Sequence, residues 1–213
     1  MHHKRNNFLW IPILFTLIWA CQMDKKPAES KSSVEPAYQG PLLLAIADGK
    51  ALLSDSTTIA IPHYGDTAYT IFFCVRHAEK RKDQGDNPEL TTEGAARAER
   101  LGMIMKAEKL ERVFSTNYKR TVQTAEAVRK KAEKTPPGAT YPPAIQDAWL
   151  DETLQTGKGK HFLVVGHQNT VPQLLNQLKG GTAYQNIPDN EHGRFYIAVT
   201  KGVGQTEVIE LHY

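Results

Sequence analysis

The stretch Ile71-Phe72-Phe73-Cys74-Val75-Arg76-His77-Ala78-Glu79 decides the fold. Five apolar residues in a row, with no polar alternation, suit a strand buried on both faces, as in a parallel sheet covered by helices. The run then stops abruptly on an arginine and a histidine.

Patterns on the C-terminal side agree with this reading. Thr91 or Thr92 caps a helix predicted to reach about Lys109, in which Leu101, Ile104, Met105 and Leu110 recur at helical spacing. Arg112–Ser115 reads as a short strand. A second helix is expected from Asn117 to about Glu133, broken by Thr135-Pro136-Pro137-Gly138. A third covers Ala144–Leu154, and Phe162–Val165 is the next buried strand. A fourth helix runs from about Thr170 to Lys179, closed by Gly180-Gly181. Phe195–Val199 and Glu207–Leu211 end the chain as strands. Strands alternating with helices define an α/β fold, a three-layer α/β/α arrangement around a mainly parallel sheet.

On the N-terminal side, Leu42–Ala47 and Thr58–Ile61 are apolar and Asp48-Gly49 is a turn signal, so a small β-hairpin is expected over residues 41–68. Residues 21–40 are rich in Lys, Glu, Ser, Pro and Gln and read as a flexible tether. Residues 1–20 read as an export signal. Lys4 and Arg5 precede Phe8–Ala20, an uncharged run shorter than the ~20 residues of a membrane span and within the ~7–15 of a signal. The run ends Leu17-Ile18-Trp19-Ala20-Cys21, which resembles a bacterial lipoprotein box with Cys21 as the lipidated residue. The competing reading is an ordinary signal with a chance cysteine. Lipidation implies anchoring to the bacterial cell envelope, facing the periplasm or the exterior. Cys74 then has no disulfide partner and reads as a small buried hydrophobe.

Charge narrows the function. Without Lys4 and Arg5, 24 of the 26 basic residues remain, against 23 acidic ones, which is no nucleic-acid footprint. No His, Cys, Asp or Glu group has metal-ligand spacing. Oligomeric state is not legible.

Ligands of open α/β sheets sit beyond the carboxyl ends of the strands. Arg76-His77-Ala78-Glu79 follows the first buried strand. Ser115-Thr116 follows the next, with Arg120 one turn into the helix. Gly166-His167 follows the third, then Asn169-Thr170. Two arginines and two histidines thus converge on one edge. Guanidiniums hold phosphate oxygens bidentately at any working pH. One histidine can attack phosphorus, and a second can donate to the equatorial oxygens.

Phe73–Lys80, Leu90-Thr91-Thr92-Glu93-Gly94, Ser115-Thr116 with Arg120-Thr121 and Gln123-Thr124-Ala125, and Val164-Val165-Gly166-His167 stand in order and resemble the histidine phosphatase superfamily, also called phosphoglycerate-mutase-like (branch 1). The resemblance spans about residues 69–200. It implies that His77 is the phosphorylated nucleophile, that Arg76 and Arg120 clamp the phosphate, and that His167 completes the pocket. It also implies a domain over 69–213 that needs no cofactor and hydrolyses small phosphate monoesters. Ala78 stands where the common signature has glycine. The span from Thr135 to Leu154 is short where many members carry an insertion with the proton donor, so Glu79 is the preferred general acid. Asp147, Asp151 and Glu152 fit the polar face of a helix.

Blander readings accompany each residue. Arg120 can be a solvated helix arginine, Glu79 an ion-pair partner of Arg76 or Lys80, and Asn117, Asn169 and Thr170 helix caps. His63, His161, His192 and His212 show no partner pattern. A catalytically inactive phosphate- or partner-binding lipoprotein on the same fold is the alternative function. A sugar-phosphate mutase is the third, and export counts against it.

Overall fold

The computed structural model describes residues 1–2, 38–142 and 147–213. The expected signal, Cys21 and nearly all of the tether lie outside them. Residues 38–213 form one compact unit. Its elements are β1 (Leu43–Ala47), β2 (Lys50–Leu53), β3 (Thr58–Ala60), β4 (Thr70–Arg76), α1 (Thr92–Ile104), β5 (Arg112–Ser115), α2 (Lys119–Lys131), β6 (Gly138–Thr140), α3 (Asp147–Thr156), β7 (His161–Gly166), α4 (Thr170–Lys179), β8 (Arg194–Thr200) and β9 (Thr206–His212).

Six strands make the main sheet, in the order β6-β5-β7-β4-β8-β9. The pairs β6·β5, β5·β7 and β7·β4 are parallel, and β4·β8 and β8·β9 are antiparallel. The fold is therefore α/β with a mostly parallel sheet between helices. Central β4 is buried at all seven residues, and its side chains alternate between two cores. Ile71, Phe73 and Val75 face a core shared with Leu101 and Ile104 of α1 and Val128 of α2. Phe72 and Cys74 face the other, shared with Leu150 of α3 and Leu174, Leu175 and Leu178 of α4. Cys74 is fully buried, which pushes its thiol pKa up and keeps it chemically inert.

Several details differ from the sequence expectations. The expected hairpin is a three-stranded antiparallel meander, β1-β2-β3, turning first at Asp48-Gly49. Its middle strand carries only two inward residues, Ala51 and Leu53, too few to stand out as a period. Those residues, with Leu43, Ile46 and Ile61, complete the core on the α1–α2 face.

α1 ends at Ile104 rather than near Lys109. The chain turns there and buries Glu108, which pairs with His161 and accepts a hydrogen bond from Tyr64. α2 begins at Lys119 behind Tyr118, so Asn117 does not cap it. β6, at the sheet edge, begins at Gly138, the last residue of the predicted breaker. α3 is described from Asp147, because residues 143–146 lie outside the described part of the chain. Among the described residues no helix is long and apolar enough to cross a membrane.

Candidate active site

Strand register sets the geometry of the site. Arg76 at the end of β4 lies opposite Gly166 at the end of β7, and the His77 N–H donates to the Gly166 carbonyl at 2.9 Å. The next residues, His77 and His167, therefore leave adjacent parallel strands side by side. Their ring centroids are 5.4 Å apart with an interplanar angle of 71°. Glycine at 166 leaves room for the side chains packed beside it, since a Cβ there would stand 2.5 Å from the Tyr141 hydroxyl oxygen and 2.7 Å from Thr170 Oγ1. One strand further, Thr116 leaves β5 and its Oγ1 lies 2.8 Å from His167 Nε2. These residues open into a cleft of about 620 Å³ lined by Arg76, His77, Lys80, Tyr118, Arg120 and His167, together with Gln168, Asn169, Asn186 and Asp189.

The tautomer of His77 is set by its partner. Nδ1 lies 2.7 Å from the Ala78 carbonyl oxygen. A carbonyl only accepts, so Nδ1 carries the proton and Nε2 keeps its lone pair. The ring is 3% exposed. Burial, with the Arg76 and Arg120 guanidiniums adding positive charge nearby, pushes its pKa down to about 2. Burial followed by Arg120 and Arg76 pushes His167 down to about 4. Both rings are neutral near pH 7.

The two arginines are held differently. Arg76 is locked in place. Its Nη1 donates to the carbonyls of Pro188 (2.7 Å), Asp189 (3.1 Å) and Glu191 (3.0 Å), and its Nη2 donates to Gln168 Oε1 (3.1 Å). Arg120, on the first turn of α2, lies over the Tyr118 ring at 4.5 Å and donates from Nη1 to the Asp86 carbonyl. The Nε of each arginine is buried without a hydrogen-bond partner. A buried charged donor left unpaired costs of order 1–3 kcal/mol or more, and an anionic oxygen in the cleft relieves that cost. Two fixed guanidiniums, a neutral imidazole with a free lone pair and a second neutral imidazole form an arrangement able to hold a phosphoryl group and attack it.

The structure does not bring Glu79 to the cleft. Its Oε1 accepts from Arg97 Nε of α1 at 2.7 Å. Of the predicted alternatives, it is in an ion pair, with a partner other than Arg76 or Lys80. Asp147 sits near Gln177 and Glu152 lines a separate hollow beside Trp149. Neither they nor Asp151 lines the cleft. Among the described residues, the carboxylate that does is Asp189, 3.6 Å from Arg76 Nη2 and 87% exposed. Thr170 acts locally, its Oγ1 accepting from the His167 N–H. Asn169 occupies the N-cap position of α4 without a side-chain capping bond.

All four histidines read as partnerless have partners. His161 pairs with Glu108, His63 stacks on Tyr69, and His212 stacks on Tyr38. His192 belongs to the site: its Nδ1 donates to the His77 carbonyl at 2.9 Å, and its ring centroid lies 5.7 Å from that of His77. Because β8 runs antiparallel to β4, the residues that precede β8 arrive at the edge where β4 ends. Strand carboxyl ends alone do not point to Asp189 and His192. Among the described residues no group of three or more His, Cys, Asp or Glu side chains is placed to hold a metal ion.

Comparison with known proteins agrees with this architecture. Residues 72–140 match the histidine phosphatase superfamily (branch 1). The protein histidine phosphatase SixA, solved with tungstate, aligns with a TM-score of 0.56 at 19% identity, covering 67% of this chain and 96% of SixA. A mycobacterial glucosyl-3-phosphoglycerate phosphatase aligns at 0.53 and 9% identity, over 68% and 98% of the two chains. YhfR of Bacillus stearothermophilus aligns at 0.52 and 16%, over 65% and 95%. No curated protein matches by sequence. Over residues 72–140 the chain is thus similar to the histidine phosphatase superfamily (branch 1), and the solved neighbours share its fold.

Proposed function

We propose that the domain is a phosphohydrolase that cleaves phosphate monoesters through a covalent phosphohistidine on His77. The observation that carries this reading is the His77 ring. Its Nδ1–H is committed to the Ala78 carbonyl, which leaves the Nε2 lone pair free, and the residue lines a cleft together with Arg76 and Arg120. A site that only binds phosphate needs the guanidiniums but not an imidazole fixed in its nucleophilic tautomer.

In the first step the Nε2 lone pair forms an N–P bond as the P–O bond to the leaving group breaks. Arg76, Arg120 and His167 meet the charge on the equatorial oxygens. An alkoxide leaving group needs a proton, and Asp189 is the described carboxyl group placed at the cleft to give it. In the second step water attacks phosphorus, the N–P bond breaks, and inorganic phosphate leaves. The arginines supply the positive field that a metal ion supplies in other phosphatases, so no cofactor is required. The test is hydrolysis of p-nitrophenyl phosphate with and without a strong chelator. Turnover should be unchanged by chelation. Loss of turnover with rescue by one divalent metal would refute the metal-free reaction.

The same reading places the enzyme on a lipid anchor at Cys21 in the bacterial envelope. It is supported by Lys4, Arg5, the 13-residue apolar run Phe8–Ala20 and the cysteine at its end. Cys21→Ala should release the protein from the membrane fraction or leave the precursor uncleaved, and unchanged membrane association would contradict the anchor.

A further inference from the structure

The phosphate cleft continues into a second hollow. A groove of about 480 Å³ shares Asn169 and Asn186 with the cleft and runs on past Gln173 and Tyr184 to Gly180 and Gly181. One wall is α4 and the other is the loop between α4 and β8. Among the described residues that line it, none carries a charge. The wall is pinned. Asn176 brackets Tyr184, donating from Nδ2 to its carbonyl and accepting from its N–H, each at 2.8 Å, and the Ile187 N–H donates to the Gln168 carbonyl at 2.9 Å. The side-chain amides of Asn169, Gln173 and Asn186, by contrast, make no hydrogen bond to any described residue.

We propose that this groove holds the non-phosphate part of the substrate, and that this part is a short, neutral, hydroxyl-rich sugar chain; the proposal rests on the phosphohydrolase reading above. The chemistry of the walls selects that class. A neutral amide offers both donors and an acceptor and so matches hydroxyl groups, which also do both. An aromatic side chain beside such groups supplies an apolar face for a sugar ring. A second phosphate or a carboxylate would need a cation in the groove, and none lines it. An extended polypeptide is held best on a free sheet edge, by main-chain ladder bonds, and a helix and a loop offer none. The ten residues of α4 span about 15 Å, room for several linked units rather than one. The loop that forms the outer wall also supplies the carbonyls of Pro188, Asp189 and Glu191 that fix Arg76. Occupancy of the groove and alignment of the phosphate clamp are therefore mechanically linked.

Binding to full-length His77→Ala protein, which cannot turn over, is measured by calorimetry. The ligands are glucose 6-phosphate, terminally phosphorylated trisaccharides of the malto-, cello-, manno- and chito- series, and a phosphohistidine peptide. At least one phosphotrisaccharide should bind tenfold or more tighter than the monosaccharide phosphate. That gain should collapse when Gln173→Ala is added, while glucose 6-phosphate binding changes little. Equal affinity for the mono- and trisaccharide phosphates overturns the proposal. So does preferential binding of the phosphopeptide, or a gain that survives Gln173→Ala. Wild-type protein is assayed in parallel. Selective binding without turnover of any ligand would sink the phosphohydrolase reading while leaving the groove assignment standing, so the two failures are distinguishable.

Discussion

Gly94 links the start of α1 to the turn that carries His77, and Gly94→Ala tests that link. Thr91 caps α1 by accepting from the Gly94 N–H at 3.0 Å, and the Thr91 N–H donates to the Glu79 carbonyl at 2.9 Å. The helix start is thus docked on the backbone two residues beyond His77. A Cβ at position 94 would lie 2.2 Å from the Glu79 carbonyl oxygen and 2.9 Å from its nitrogen. Ordinary contacts begin near 3.5 Å, so one backbone must move by about 1 Å, and no flexible side chain can yield instead. Alanine gains about 1 kcal/mol of helix propensity. Overpacking costs about 1–3 kcal/mol, and loosening the Thr91–Glu79 bond about 1 kcal/mol more. The net loss is of order 1–3 kcal/mol. For a domain of this size that lowers the melting temperature by roughly 3–9 °C. The larger effect falls on catalysis, because a misplacement of about 1 Å can cost on the order of 100-fold. Circular dichroism melting and kcat/KM for p-nitrophenyl phosphate measure the two. Gly202→Ala, where an added Cβ meets nothing within 4 Å, is the control and should behave as wild type. If Gly94→Ala also keeps wild-type melting and kcat/KM, the proposed docking of α1 on the turn that carries His77 is wrong.

Two further expectations concern individual side chains. Glu79→Gln breaks the pair with Arg97, so kcat/KM should fall by a similar factor for alkyl phosphates and for aryl phosphates with good leaving groups; a loss confined to alkyl phosphates would make Glu79 the general acid instead. The second concerns pH. The folded pKa values of His77 (about 2) and His167 (about 4) lie below the ordinary value of 6.5, so the unfolded chain takes up more protons as pH drops. Their stabilising contribution is complete above about pH 6.5 and is lost as the pH falls toward those folded values. For buried His77 this amounts to about 2 kcal/mol between pH 6.5 and 5, and to less for the half-buried His167. Urea unfolding of wild type and His77→Gln at the two pH values measures it, and an equal pH dependence in both proteins would count against a buried neutral His77.

The sheet and the edge that holds the candidate site were legible because burial on both faces leaves an unbroken apolar run. Ile71–Val75 and Phe162–Val165 could be read that way, and the residues just beyond each run could be placed without knowing the packing. A cap at Thr91 or Thr92 was legible because capping is local, and Thr91 is the one that caps. Contacts made across the fold were not. The Glu79–Arg97 pair joins residues 18 apart, and the His192–His77 bond joins residues 115 apart; no local period encodes either. Glu79 stands two residues beyond His77, which fixes its edge of the sheet but not the direction of its carboxylate. The buried Glu108 ended α1 early for the same reason, since its partners Tyr64 and His161 come from the meander side and from β7. Ala51 and Leu53, the only inward residues of β2, make a strand too short to show a pattern.

The central claim is a phosphoryl group on His77 Nε2. Wild-type protein mixed with a ³²P-labelled phosphate ester, then quenched under alkaline conditions that spare phosphoramidates, should carry one acid-labile label per chain, mapped to His77 by peptide sequencing. His77→Ala should carry none and should lose nearly all turnover. A fully active enzyme with no trapped label, or label and activity that survive His77→Ala, would contradict the account.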